Sequence, residues 1–164
     1  MIENYKKELG IENAYPVIVA GSTHPTEEKV LFDVFNEIIK SYPEARLVIA
    51  PRKPGRADEI SKLAKQYHWE SGFRSKLLEI KGARSKYPVL LIDTIGELGR
   101  IYSVGDVVFV GGSLIKHGGH NVLEPAAHAK PILVGPNMQN FKDSYALLSK
   151  VGACKMINNS AELT

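Results

Sequence analysis

VVFVGGSLIKHGGHNVLE, residues 107–124, is the stretch from which the rest of the chain is best read. Val107–Val110 is a short run with apolar residues on both faces, as a buried parallel strand requires. Gly111 and Gly112 follow at once, and Gly118, Gly119, His120 and Asn121 then open a helical stretch from about Asn121 to His128. A strand that feeds a helix through such a turn predicts an anion site. Glycine lets a ligand approach the backbone, while the free N–H groups and the dipole of a helix start favour a phosphate. Ser113 adds a hydroxyl, Lys116 and His117 add positive charge, and Glu124 is placed to accept hydrogen bonds from ribose hydroxyls. The plainer alternative is a capping box between Asn121 and Glu124 in which the glycines only turn the chain. A cap does not call for four glycines.

Working outward, apolar runs of strand length alternate with helical patterns. Tyr15–Ala20, Arg46–Ala50, Val89–Ile92, Pro131–Val134 and Cys154–Ile157 read as strands. Helices are predicted over 26–41, 57–69, 97–103 and 141–151, the first marked by Pro25 and by Glu27 and Glu28 in its opening turn. Gly72–Ile80 reads as a short edge strand and Lys81–Lys86 as an exposed basic turn. Strands apolar on both faces, each followed by a helix, predict an α/β fold: a Rossmann-like, doubly wound parallel sheet with helices on both faces. Residues 1–14 read as a linker or helix tail, residues 15–164 as one ligand-binding domain. Ser160 reads as the N-cap of a helix cut short, as in a piece of a longer protein.

Bulk properties narrow the function classes. A chain of 164 residues, 44% hydrophobic and 24% charged, suits one globular domain. A formal charge of +3 is mildly basic and fits anionic ligands, and the lack of an aromatic-interleaved basic stripe argues against nucleic acid. One cysteine, Cys154, forms neither an internal disulfide nor a cysteine-rich metal site, and a reducing compartment is the simplest expectation. No run approaches the roughly 18 apolar residues of a membrane span, and no signal-peptide pattern opens the chain. The chain itself is therefore expected to be soluble.

Ligands of parallel sheets sit beyond the carboxyl ends of the strands, and four polar or glycine clusters fall there. They are Gly21-Ser22-Thr23-His24, Pro51-Arg52-Lys53, Asp93-Thr94-Ile95-Gly96-Glu97, and Gly111 through Glu124. Ser22 and Thr23 serve equally well as helix caps. Arg52 is suited to a phosphate or carboxylate, although a lone basic pair is usually solvated. Gly96 makes room for a flat base. The histidines lack ligand spacing and no carboxylate cluster accompanies them, so the sequence gives little reason to expect a metal. The glycine fingerprint of dinucleotide-binding domains is absent after the first strand, where the chain reads GSTHPTEE, and this argues against NAD or FAD.

GSTHPTEE (Gly21–Glu28), PRK (Pro51–Lys53), DTIGEL (Asp93–Leu98), FVGGSL (Phe109–Leu114), GGHNVLEPAAH (Gly118–His128) and GPNMQNFKD (Gly135–Asp143) occur in one order along the chain. In that order they resemble the C-terminal half of the 3-deoxy-D-manno-octulosonic acid (Kdo) transferases of lipopolysaccharide biosynthesis, enzymes of the two-domain GT-B fold. The resemblance covers nearly the whole chain. It implies a donor domain for CMP-Kdo, with Thr94, Ile95, Gly96 and Glu97 at the cytosine and Glu124 at the ribose. Ser22, Arg52, Ser113 and Gly118, Gly119, His120 and Asn121 would meet the phosphate and sugar carboxylate. Thr23, His24, Lys53, Gly112 and Leu114 complete the implied contacts. The implied reaction inverts C2 of Kdo, with CMP leaving, a lipid A precursor accepting, and no cofactor or bound metal. Its base, a glutamate, and the membrane-anchoring segment belong to an N-terminal half absent from this sequence, so the fragment alone would be inactive. The full-length protein would work at the cytoplasmic face of the bacterial inner membrane. Two departures bear on phosphate contact: Pro25-Thr26 replaces the usual residue-plus-glycine, and Lys53 stands where a histidine is frequent. The other readings are the donor half of a different GT-B enzyme or a sugar-nucleotide epimerase using a UDP-sugar, and a standalone nucleotide-binding module.

Overall fold

A computed structural model of the chain describes residues 1–79 and 87–163. Seven strands, β1 (Val17–Thr23), β2 (Arg46–Pro51), β3 (Ser71–Phe73), β4 (Val89–Leu91), β5 (Val107–Val110), β6 (Ile132–Val134) and β7 (Cys154–Met156), form one sheet. All neighbouring strands are parallel and the order is β3-β4-β2-β1-β5-β6-β7. The helices are α1 (Ile2–Leu9), α2 (Glu27–Ser41), α3 (Ala57–Gln66), α4 (Arg74–Glu79), α5 (Leu98–Ile101), α6 (Leu123–Ala126), α7 (Lys142–Lys150) and α8 (Ser160–Leu163).

Successive strand residues point to opposite faces, so a strand buried on both sides feeds two cores. Val48 and Val108 face a core shared with Tyr5, Leu9, Tyr102 and Val122. Their neighbours Leu47, Ile49 and Phe109 face the other, built on Phe32 and Phe35 of α2 and Ile60 of α3. This is the doubly wound α/β sheet that the alternation predicts. Its order reverses at β1, with β2 on one side and β5 on the other. Connections leave the strand ends there in opposite directions and open a crevice.

The N-terminal stretch, read as a linker or helix tail, is a docked helix, α1, with Tyr5 and Leu9 buried, closed by a left-handed Gly10. Other elements differ from the sequence reading. The expected edge strand at 72–80 is strand only over Ser71–Phe73 and turns into α4 at Arg74. The end of that expected strand, Ile80, and the basic turn at 81–86 lie outside the described residues. The helix expected over 121–128 shrinks to Leu123–Ala126, because the Asn121 side chain takes the Leu123 N–H in a turn of its own, 2.9 Å. Among the described residues no helix is long and apolar enough to cross a membrane.

Candidate functional site

A cleft of about 480 Å³ opens at the carboxyl edge of the sheet. Ser22 from the end of β1, Pro51 at the end of β2 and Arg52 after it, Thr94, Ile95 and Gly96 after β4, and His120, Asn121 and Glu124 after β5 all line it, with Tyr102 and Phe141. Parallel strands bring these termini together whatever their distance in sequence. A smaller, apolar groove of about 230 Å³ between α2 and the sheet, with Phe35, Leu47 and Phe109 in its walls, lies away from this edge.

The cleft carries two kinds of surface. Ile95 is 90% exposed beside Gly96, whose φ is +85°. An exposed aliphatic side chain next to a residue without one offers a flat surface for a planar ring. Arg52 supplies a cation and Glu124 an acceptor to the same cleft, both exposed. The floor is Tyr102, whose hydroxyl shares a hydrogen bond with the Ser22 side chain; burial raises its pKa, so it stays protonated. Its ring lies where a side chain on Gly21 would be, so β1 needs glycine at that position. Ser22, next in the strand, adopts φ +55° at a register shift between Gly21 and Thr23.

The turn 93–97 is clamped at both ends by α4. Asp93 accepts the Ser75 N–H (2.9 Å) and the Ser75 hydroxyl (2.5 Å). Glu97 receives Arg74 through Nε (3.1 and 3.2 Å) and Nη2 (3.0 Å), and the Thr94 hydroxyl (2.5 Å). Burial raises the Glu97 carboxyl, but the hydrogen bonds from Arg74 and Thr94 outweigh it and hold it below its ordinary value. Glu97 therefore braces the turn from behind, and Thr94, Ile95 and Gly96 are the residues presented to the cleft.

The first half of the glycine turn is occupied from inside. Glu27, 1% exposed in the first turn of α2, accepts the N–H groups of Gly112 (2.7 Å), Ser113 (3.2 Å) and Leu114 (3.0 Å), and of His24 (3.0 Å). Burial raises this carboxyl above its ordinary value, and the N–H groups pull back only part of that shift. These three amides, in the first half of the turn read as a phosphate site, are thus already paired with a carboxyl group of the protein itself. The Ser113 hydroxyl, expected at the ligand, is fully buried; it donates to Val110 O (2.5 Å) and accepts the Gly135 N–H (2.8 Å). Thr23 is likewise buried, donating to Glu28 (2.9 Å), which also pairs with Arg56 (2.8 Å). Lys53 is exposed ahead of a 3-10 turn and does not line the cleft.

The glycines also have internal reasons. Gly111 lies against the Ser22 backbone, where a β-carbon has no room, and Gly119 pairs φ +81° with the Met138 sulfur at its Cα. Gly118 likewise faces the Asn140 side chain. Ligand approach is not needed to explain them. Nor does the short α6 provide the long helix dipole expected over Gly118–Asn121.

Three histidines do converge. Nε2 of His24 and Nε2 of His120 are 2.7 Å apart, one donating and the other accepting, and the His117 ring centroid lies 4.4 Å from His24 and 4.8 Å from His120. Burial and the adjacent rings lower the pKa of His24 and push that of His120 down to about 4, so both are neutral at pH 7. Their separation in sequence argued against a metal; the fold nonetheless places the ligand nitrogens of all three within 4.8 Å of one another.

Sequence reading missed Glu27, Glu28, Arg74 and Tyr102 as parts of the site. The adjacent acids in GSTHPTEE were a usable signal, since carboxylates at a helix start directly after a strand turn lie within reach of the N–H groups and cations of neighbouring turns. Arg74 lay in a stretch without clear periodicity.

No family model matches the chain. It is 33% identical over 147 residues to a 3-deoxy-D-manno-octulosonic acid transferase of Haemophilus influenzae, covering 90% of this chain and 34% of that protein. It is also 33% identical over 158 residues to the enzyme of the same name from Aquifex aeolicus, covering 96% of this chain and 42% of that one. The chain thus spans less than half the length of these relatives. Among solved structures, the C-terminal CMP-Kdo binding domain of WaaA from Acinetobacter baumannii superposes with a TM-score of 0.87 at 28% identity, over 99% of this chain and 82% of that one. Sequence and fold together place this chain with the C-terminal, GT-B-type domain of the 3-deoxy-D-manno-octulosonic acid transferases.

Proposed function

We propose that the chain is the donor-binding domain of a Kdo transferase and takes CMP-Kdo in the cleft at the carboxyl edge. The observation that carries this reading is that five of the motifs that resemble that family supply walls of one cavity: Ser22; Arg52; Thr94, Ile95 and Gly96; His120, Asn121 and Glu124; and Phe141. The cytosine stacks at Ile95 and Gly96, the ribose hydroxyls reach Glu124, and Arg52 with Ser22 and Asn121 meets the phosphate and the sugar carboxylate. Charge developing on the leaving CMP is stabilised by Arg52, the guanidinium in the lining of the cleft. The acceptor is a lipid A precursor and the reaction inverts C2 of Kdo. The base comes from an N-terminal domain, as does contact with the cytoplasmic face of the inner membrane, so this chain binds donor without turning it over.

Titration calorimetry with CMP, UMP and GMP tests the reading. CMP should bind at least tenfold more tightly than the other two, the difference that a turn specific to one base supplies, about 1.4 kcal/mol. Equal binding of UMP would instead point to a UDP-sugar enzyme of the same fold, and no binding of any nucleotide would remove the donor-domain reading.

A further inference from the structure

The backbone that brings the three histidines together is unusual on both sides. His24 lies between two non-glycine residues with positive φ, Ser22 (+55°) and Thr26 (+78°). His117 and His120 bracket Gly118 (φ +102°) and Gly119 (φ +81°). Left-handed conformations of non-glycine residues cost on the order of 1–3 kcal/mol each and persist where the surrounding structure holds them. Here the turns deliver three imidazoles to one point beside the cleft that His120 also lines, with a ligand nitrogen of each within 4.8 Å of the others.

We propose that His24, His117 and His120 bind a divalent transition-metal ion of the zinc type at the rim of the cleft. Imidazole suits zinc, nickel and copper, and three protein nitrogens with an open fourth position is a recurrent arrangement for zinc. A metal–nitrogen distance of about 2.0–2.1 Å sets tetrahedral ligand nitrogens roughly 3.3 Å apart. The His24–His120 pair at 2.7 Å then opens slightly, and the exposed His117 ring swings inward from within 4.8 Å. The ion replaces a contact in which one ring must give up its lone pair to the other. The Glu27 carboxylate accepts the backbone N–H of His24 at 3.0 Å and so fixes the backbone that carries this ring. The proposal requires neither nucleotide nor acceptor, although the site shares His120 with the wall of the donor cleft.

The test is calorimetric titration of the tag-free, chelator-stripped chain with Zn²⁺, paralleled by Co²⁺ absorption spectra. One ion per chain is expected, with a Kd in the low micromolar range or tighter, and with the visible bands of four-coordinate cobalt. His117→Gln alters an exposed side chain and should weaken binding at least about tenfold, as should His120→Gln. His68→Gln, remote from the cluster, should leave it unchanged. Binding weaker than about 100 μM, or binding that survives both substitutions, overturns the proposal. If His120→Gln unfolds, His117→Gln alone decides. Titrating CMP in the presence of EDTA reads the donor site separately, so failure of one assignment is not mistaken for failure of the other.

Discussion

The guanidinium of Arg74 lies 3.0–3.2 Å from the carboxylate of Glu97, and the pair, with Arg74 only 3% exposed, holds the wall of the cleft on which Ile95 sits. Tyr5 of α1 adds its hydroxyl to the same carboxylate at 3.5 Å, and Glu8 reaches Arg74 at 3.6 Å. Removing one partner of such a pair leaves a buried charge uncompensated. Arg74→Ala should cost about 3 kcal/mol by urea denaturation, the lower end of the range because Glu97 is partly exposed. It should also weaken CMP binding, since the turn loses its brace. Arg74→Lys should recover only part of both, because a single ammonium cannot reproduce the two-pronged contact.

The same pair sets an acid-side dependence. Glu97 is held below its ordinary value of 4.5, so the stability it contributes is complete above that value and is lost as pH falls through the lower folded value. Unfolding midpoints measured between pH 7 and pH 3 should therefore fall steeply on the acid side. Glu97→Gln should flatten that fall; an unchanged slope would show that the depressed carboxyl lies elsewhere.

Glu27→Ala strips the acceptor from three loop amides, leaving donors inside the protein unsatisfied. Each such group costs about 1–3 kcal/mol, so the substitution should be among the most damaging in the chain, by differential scanning calorimetry. Glu27→Gln keeps an oxygen but turns an N–H₂ toward N–H donors, and should lie between the two.

Arg52 and Glu124 behave oppositely to these buried groups. Both side chains are exposed, so their loss should leave the unfolding midpoint nearly unchanged. Arg52→Ala should weaken CMP binding by about ten- to a hundredfold, the worth of one charge-assisted hydrogen bond, and Glu124→Ala by about tenfold. Calorimetry with both variants checks this, and retained affinity in Arg52→Ala would move the phosphate elsewhere in the cleft.

The sheet was readable because it depends on local runs. Val107–Val110 and Arg46–Ala50 show their burial on both faces without reference to anything distant. The cleft was readable in outline for the same reason, since parallel strands gather whatever follows their ends. Ser22, Arg52, Thr94, Ile95, Gly96, His120, Asn121 and Glu124 meet in this way. What could not be read depends on pairing across the chain. The Glu27 carboxylate meets the Gly112 amide 85 residues away, and Arg74 meets Glu97 across 23. The expected length of α6 failed because Asn121 uses its side chain on the Leu123 amide before the helix begins.

A loop that carries its own counter-ion is closed to anions from solution. With Glu27 seated on the amides of 112–114, free phosphate and sulfate find those N–H groups already taken. Salt competition curves for donor binding consequently report cationic side chains such as Arg52, not a glycine-rich cradle.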